Sequence, residues 1–324
     1  MIRWGDSKTA NGIEFFGAFA VSLLMTYLII PWLIPKLKAK GIVGKDLNKP
    51  DKPEIAEMGG IAVIVGFFAG VSALIGLNGI ENLDLLNVSL SAILGAGFVG
   101  MMDDLFDLRQ SHKAFLPFVL ALPFGAVADP HVVLPYVVQF NLGPWMVLAA
   151  AFAMTCAANA ANMLEGFNGL GTGLGMMMAF TLAILCLLHD RLDGIYLLIP
   201  LLGALSAFLW FNKYPAEIFP GDTMMIFMGA TLAAAGILSS LHVQTAFIFI
   251  PMTAEFFLKL KGRFKGENYS SRSANGHLEY HGAIESLTHL MMKHSKCTEK
   301  TLVHRIWLVQ AAFCIVVIVV DLTL

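Results

Sequence analysis

The chain has 324 residues, 57% of them hydrophobic and only 14% charged, with a mean hydropathy of +0.72 and a formal net charge of −2. A soluble domain carries about 25% charged residues, so an ordinary soluble enzyme is excluded. The net charge says little by itself, because in a membrane protein the placement of charge carries the information.

The polar stretch Met1 to Asn11 leads into a long apolar run without a small-residue cleavage site, which reads as a retained first helix. A bilayer core of about 30 Å needs about 20 apolar residues per helix, and open loops are not tolerated in lipid. Runs of that kind lie near 13–35, 59–77, 88–105, 114–128, 144–161, 170–188, 195–211, 224–241, 243–259 and 304–323. The expectation is an all-α integral membrane protein of about ten transmembrane helices, forming one multi-pass domain over 1–324. Cys156, Cys186 and Cys314 sit inside apolar runs, so neither a disulfide framework nor a zinc site is expected.

Loops after the odd-numbered runs hold 6, 2, 0, 1 and 9 basic residues, so one face carries 18 of the 21 and the other keeps Arg3, Lys8 and Arg191. Lys and Arg accumulate on the cytoplasmic side. Both termini are therefore expected outside and the odd loops in the cytoplasm.

Four polar clusters fall on that face. At the end of the third run stands Asp103-Asp104-Leu105-Phe106-Asp107, followed by Arg109 and Lys113. On a continuing helix these carboxylates share one side. Such a set repels itself unless a divalent cation or a lysine such as Lys113 sits among the oxygens, and ionisable groups at membrane depth are functional candidates. The plainer reading is a solvated helix end with a salt bridge.

The fifth run ends in Asn159-Ala-Ala-Asn162-Met-Leu-Glu165-Gly166-Phe-Asn168-Gly169-Leu-Gly171-Thr-Gly173. Amide oxygens suit a hard cation, and amide nitrogens suit phosphate or a base edge. Small residues with Asn are also common helix–helix glue, which explains Gly171 and Gly173 better than Asn162, Glu165 and Asn168. The stretch Phe211 to Thr223 then places Asp222 at the start of the eighth run, where free N–H groups favour anions; a simple N-cap is the alternative. The longest loop, about Lys259 to His304, holds Lys261, Arg263 and Lys265, then Asn268 to Asn275, then His277 and His281. It would also suit anionic lipids, and the His pair lacks a third ligand for a metal. Sequons at Asn87 and Asn268 are discounted, one bordering a helix and the other facing the cytoplasm.

Acids, amides and a lysine at one membrane face form a phosphate-handling set. Mg²⁺ takes one or two carboxylates and completes its shell with substrate oxygens and water, and phosphoryl transfer needs positioning and charge neutralisation more than covalent help.

These runs also carry a resemblance. Gly59-Gly60, Asp103-Asp104 with Asp107 and Lys113, Asn159-x-x-Asn162 leading to Gly166-Phe-Asn168-Gly169-Leu, and Phe219-Pro-Gly221-Asp222-Thr223 resemble the polyprenyl-phosphate N-acetylhexosamine-1-phosphate transferase family. With Asp46-Leu47-Asn48-Lys49 and the stretch from Asp104 through Lys113, the chain is most similar to the dolichyl-phosphate GlcNAc-1-phosphate transferase branch, from about Gly41 to Lys265. The resemblance implies ten helices, a cytoplasmic site, UDP-GlcNAc as donor, dolichyl or another polyprenyl phosphate as acceptor, and UMP as product. It implies that Asn162 and Asp222 hold Mg²⁺ (or Mn²⁺), that Asp103 and Asp104 organise or activate the lipid phosphate, and that Lys113 neutralises phosphate charge. Asp46, Asn48 and Gly166 would belong to the substrate site, Asn168 and the Phe219 backbone would meet the uracil, and Glu57 would lie near the nucleotide. Arg263 and Lys265 are similar to the pair that reads GlcNAc and pyrophosphate, with Lys265 where an arginine is usual.

His277-Leu-Glu-Tyr-His281 is not the clustered histidine run of the bacterial muramoyl-pentapeptide branch, and Met224-Met225 stand where bacterial members have Gly-Ser. The last loop lacks the longer insertion of the eukaryotic enzyme, so an archaeal-type protein of the cell membrane is expected. No nucleic-acid partner is expected, and a homodimer is left open. Related readings are a transferase for another UDP-HexNAc or a cell-envelope glycan, a prenyltransferase, and a secondary transporter; the last normally shows repeated halves and a midplane site, neither of which is legible here.

Overall fold

The computed structural model describes residues 12–78, 83–134, 138–264, 266, 268, 269, 277–294 and 297–323. Met1 to Asn11, with Arg3 and Lys8, and most of the Asn268 to Asn275 stretch, lie outside them, as does Lys265. Twelve α-helices account for most of the described chain. They are α1 Gly12–Ala39, α2 Gly60–Asn78, α3 Leu83–Phe106, α4 Gln110–Val127, α5 Met146–Met163, α6 Leu170–Leu188, α7 Leu192–Asn212, α8 Gly221–Leu238, α9 His242–Ile248, α10 Ile250–Lys261, α11 Leu287–His294 and α12 Glu299–Thr323.

Eight of these, α1 to α3, α5 to α8 and α12, are long and apolar enough to cross a membrane, and the pair α9 and α10 gives a ninth if its bent halves form one span. The tenth expected span corresponds to α4, which is helical but opens with Gln110-Ser-His-Lys113 and is not among them. The expected run 243–259 is broken by 56° between α9 and α10. Pro251 sits in the first turn of α10, a position where proline starts a helix readily but cannot continue the preceding one.

α8 is the hub of the bundle. It packs on α2, α3, α5, α6, α7 and α9, and its side chains from Thr223 to Leu238 are buried. A helix apolar all round belongs in an interior. α1 and α12 lie at the periphery, most of each turned outward, with Leu28, Trp32, Leu308 and Ile315 exposed. Without a hydrophobic force between helices in lipid, tight association needs small residues at crossings. Gly100 supplies one between α3 and α8, since a Cβ there would lie 2.4 Å from the Asp222 carbonyl oxygen.

Two short antiparallel hairpins complete the fold. β1 Val43–Lys45 pairs with β2 Glu54–Ala56 between α1 and α2, and β3 His131–Leu134 pairs with β4 Val138–Asn141 between α4 and α5. They lie at opposite ends of the bundle, because β1 and β2 pack beside the start of α8 whereas β3 follows the far end of α4.

Candidate active site

The start of α8 is built by side chains from other helices. The Asp104 carboxylate, near the end of α3, accepts the Asp222 N–H at 2.7 Å through Oδ1, and the Thr223 N–H at 3.0 Å and hydroxyl at 2.5 Å through Oδ2. The first N–H groups of a helix have no partner inside it, so Asp104 serves as an N-cap delivered from elsewhere. Lys113, in the first turn of α4, then bridges α3 and α8. Its Nζ pairs with Asp103 Oδ2 and lies 2.9 Å from Asp222 Oδ2. Asp103 Oδ1 accepts the Leu108 N–H at 2.8 Å. Two carboxylates and a lysine thereby hold the ends of three helices together, and Asp103 and Asp222, far apart in sequence, meet at one end of the bundle.

Asp107 leaves this group. α3 stops at Phe106, and Asp107 takes a positive φ of 49° and is exposed, so the expected alignment of Asp107 with Asp103 and Asp104 on one helix side does not form. Asp104 is engaged with a neighbouring helix. Both of its oxygens accept from the start of α8, so it fastens the backbone that carries Asp222.

Beside Asp222 opens a cavity of about 210 Å³. Its walls include Lys45, Asp46, Glu57, Asn162, Glu165, Gly166, Asn168, Phe219, Asp222 and Tyr269, drawn from the β1–β2 hairpin, the α5–α6 turn, the segment before α8 and the α10–α11 loop. Burial, reinforced by the Asp104 and Asp222 charges, holds the Glu57 carboxyl above the usual range. Burial also pushes Glu165 up to about 8, although its Oε2 accepts the Gly171 N–H at 2.9 Å.

The end of α5 and the turn to α6, which carry Asn162 to Asn168, are pinned from three directions. Asn48 donates to the Gly166 carbonyl at 2.9 Å, and Asn268 donates to the Met163 and Glu165 carbonyls at 2.9 and 2.5 Å. Glu299, at the start of α12, accepts the Asn168 N–H at 3.0 Å. Gly166 has φ 150°, a conformation that favours glycine, and the Asn268 side chain fills the space where a Cβ would point. Asn159 turns away, donating to Thr155 O at 2.9 Å and lying 3.5 Å from Lys113 O, whereas Asn162 lines the cavity. Asp46 accepts the Asn168 amide at 3.0 Å and the Lys49 ammonium at 2.5 Å.

Phe219 lines the cavity with its ring. Its N–H is already given to Ala56 O at 2.7 Å and its carbonyl accepts the Gly59 N–H at 2.9 Å. That pairing is part of the contact between β2 and the segment before α8, and it leaves the carbonyl one further lone pair. Arg263 is exposed beyond the end of α10 and is not part of the cavity wall, and His277 and His281 are exposed as well. Lys45, Tyr269, Asn268 and Glu299 join or support the site without having been singled out from the sequence. For Asn268 the signal was a polar residue in the longest loop.

Among the described residues no group of three or more His, Cys, Asp and Glu side chains is arranged to hold an ion. An Asn amide and a carboxylate facing one cavity are nonetheless the donors that suit a hard divalent cation when substrate and water supply the remaining oxygens. Asp222 is the reachable acid, with 22% of its side chain exposed against 6% for Asp103. Asn162 and Asp222 thus fit Mg²⁺.

The profile of glycosyl transferase family 4 matches residues 86–240, from α3 through α8. A protein of Saccharolobus solfataricus, provisionally named UDP-N-acetylglucosamine–dolichyl-phosphate N-acetylglucosaminephosphotransferase, is 37% identical over 94% of this chain and 95% of its own length. The enzyme with that name in Schizosaccharomyces pombe is 30% identical over 82% of this chain and 70% of its own. A phospho-N-acetylmuramoyl-pentapeptide-transferase of Borreliella burgdorferi is 29% identical over 70% of this chain and 75% of its own.

Proposed function

Since the chain belongs to glycosyl transferase family 4, we propose that it transfers GlcNAc-1-phosphate from UDP-GlcNAc to dolichyl or a related polyprenyl phosphate. The products are lipid-diphosphate-GlcNAc and UMP, and the reaction would open the assembly of a lipid-linked oligosaccharide for N-glycosylation. The observation that carries the reading is that Asn162 and Asp222 line one cavity while Lys113 joins Asp222 to Asp103 beside it.

In the proposed reaction an oxygen of the lipid phosphate attacks the sugar-bearing phosphorus of UDP-GlcNAc. The new P–O bond forms as the bond to the UMP oxygen breaks, and UMP departs with that electron pair. A phosphate monoester is already largely ionised near neutral pH, its second pKa being about 6, so a strong base is dispensable. Asn162 and Asp222 would hold Mg²⁺, which when bound neutralises the charge on the donor diphosphate. Lys113 supplies a fixed positive charge next to Asp222, Asp103 keeps that ammonium in place, and Asp104 sets the direction of Asp222 through the helix start. The acid-lined part of the cavity, with Asp46, Glu57 and Glu165, suits the hydroxyl and ring N–H donors of a nucleoside better than phosphate.

The site is proposed to face the cytoplasm of the cell membrane with both termini outside, on the bias of basic residues. Purified protein incubated with Mg²⁺, labelled UDP-GlcNAc and dolichyl phosphate should release UMP and yield a labelled lipid whose formation stops in EDTA. No labelled lipid, or turnover indifferent to EDTA, would sink the assignment.

A further inference from the structure

The start of α12 meets the turn that carries Asn168, and it contributes one buried acid, Glu299. Its Oε1 accepts the Asn168 N–H at 3.0 Å and its Oε2 accepts Lys49 at 3.0 Å. Lys49 also binds Asp46, whose same Oδ2 takes the Asn168 side-chain N–H at 3.0 Å. Asn168 is therefore held by backbone and side chain through one closed network, Glu299–Lys49–Asp46, with all three acceptor and donor groups buried or nearly so.

The polarity of that network fixes the amide. An ionised carboxylate can only accept, so Asp46 forces the NH₂ group of Asn168 toward itself and the carbonyl oxygen the other way. That oxygen, Oδ1, is buried and has no partner among the described residues, and Asn168 is part of the cavity wall. A buried acceptor without a donor is costly, and a ligand that brings an N–H or O–H to it would relieve the cost.

We infer that Glu299, Lys49 and Asp46 are positioning residues that present the Asn168 carbonyl oxygen to a hydrogen-bond donor on the donor substrate. The inference rests on the proposed function, in which Asn168 meets the uracil: an imide-type N–H satisfies Oδ1, whereas a ring nitrogen that only accepts, as in cytosine, opposes it. Glu299 touches no substrate. It acts by holding the Asn168 backbone from below and by neutralising Lys49 so that Asp46 stays aimed at the amide.

The test compares wild type with Glu299→Gln in detergent, measuring KM and kcat for UDP-GlcNAc and the affinities of UDP and CDP by calorimetry. Gln keeps an oxygen for the Asn168 N–H but loses the negative charge that pairs with Lys49. Loss of a charge-assisted bond predicts KM for UDP-GlcNAc and the Kd of UDP to rise about tenfold with kcat within about twofold, and the preference for UDP over CDP to narrow. A purely structural role would lower the active fraction, hence apparent kcat, and leave KM and the UDP to CDP ratio alone; that result overturns the inference. Should Glu299→Gln not accumulate, Lys49→Gln reads the same network and must give the same KM-weighted defect, and unchanged KM there also overturns it. If wild type itself neither binds UDP nor turns over, the functional assignment has failed; if wild type does both and the variants match it, only the positioning role has.

Discussion

Each carboxylate near the start of α8 has a different task, and substitution should separate them. Asp222→Ala removes the reachable acid and should abolish Mg²⁺-dependent turnover, with only a small loss of Tm in EDTA because Lys113 keeps its pair with Asp103. Asp104→Asn keeps one acceptor but loses the charge that satisfies three donors. It should cost about 1–2 kcal/mol of stability and lower turnover, because Asp222 loses its fixed direction. Equal Tm losses in the two variants would contradict this division. Glu165 offers a pH test. Its carboxyl is raised from 4.5 to about 8, so below about 4.5 it is protonated in folded and unfolded chains alike. Between there and about 8 the unfolded chain alone gives up the proton, and stability falls as pH rises across that window. Glu165→Gln cannot ionise, so in EDTA its Tm should decline less over the same window and stand above wild type at the alkaline end; parallel curves would refute the buried-acid account. At this scale the sequence made Asn162 and Asp222 visible, since amides and acids are rare beside apolar runs. It hid Glu299, because the partner that gives it meaning, Lys49, is 250 residues away.

Among helices and hairpins, hydropathy located the membrane segments, and α6 falls on its expected 170–188 range. It did not reveal the two hairpins, whose three- and four-residue strands are too short to show a period, or the break at Phe249, although Pro251 was a cue. It also started the last helix at 304, five residues late, which left Glu299 in a loop. Packing between elements gives its own expectation. At Gly100 an added methyl meets the α8 backbone at 2.4 Å, while at Gly76 in α2 it meets nothing within 4 Å. Gly100→Ala should therefore destabilise by about 1–3 kcal/mol and depress activity by shifting the start of α8, whereas Gly76→Ala should be neutral or stabilising by up to about 1 kcal/mol. Detergent melting curves of the pair decide the matter, and a harmless Gly100→Ala would mean that α3 and α8 are not in contact there.

Across the whole molecule, the β1–β2 hairpin and the β3–β4 hairpin mark opposite ends of the bundle, and only the first lies with the cavity. Lys52→Cys and His131→Cys, both at exposed positions and placed in a background lacking Cys156, should react with an impermeant thiol reagent from opposite sides. In intact cells His131→Cys is expected to label and Lys52→Cys only after the cytoplasmic side is opened. The reverse pattern would invert the proposed orientation, and labelling of both from one side would dismantle the shared site. The Lys49–Glu299 tie also has a bearing on how the protein is made. A ribosome delivers the β1–β2 hairpin early and α12 much later, so the wall that holds Asn168 stays unfinished through most of translation. On the proposed function, a nascent chain stalled before Glu299 would hold the helix ends that carry Asp103 and Asp222 yet lack the tie that fixes Asn168, so early insertion intermediates would take up sugar nucleotide poorly.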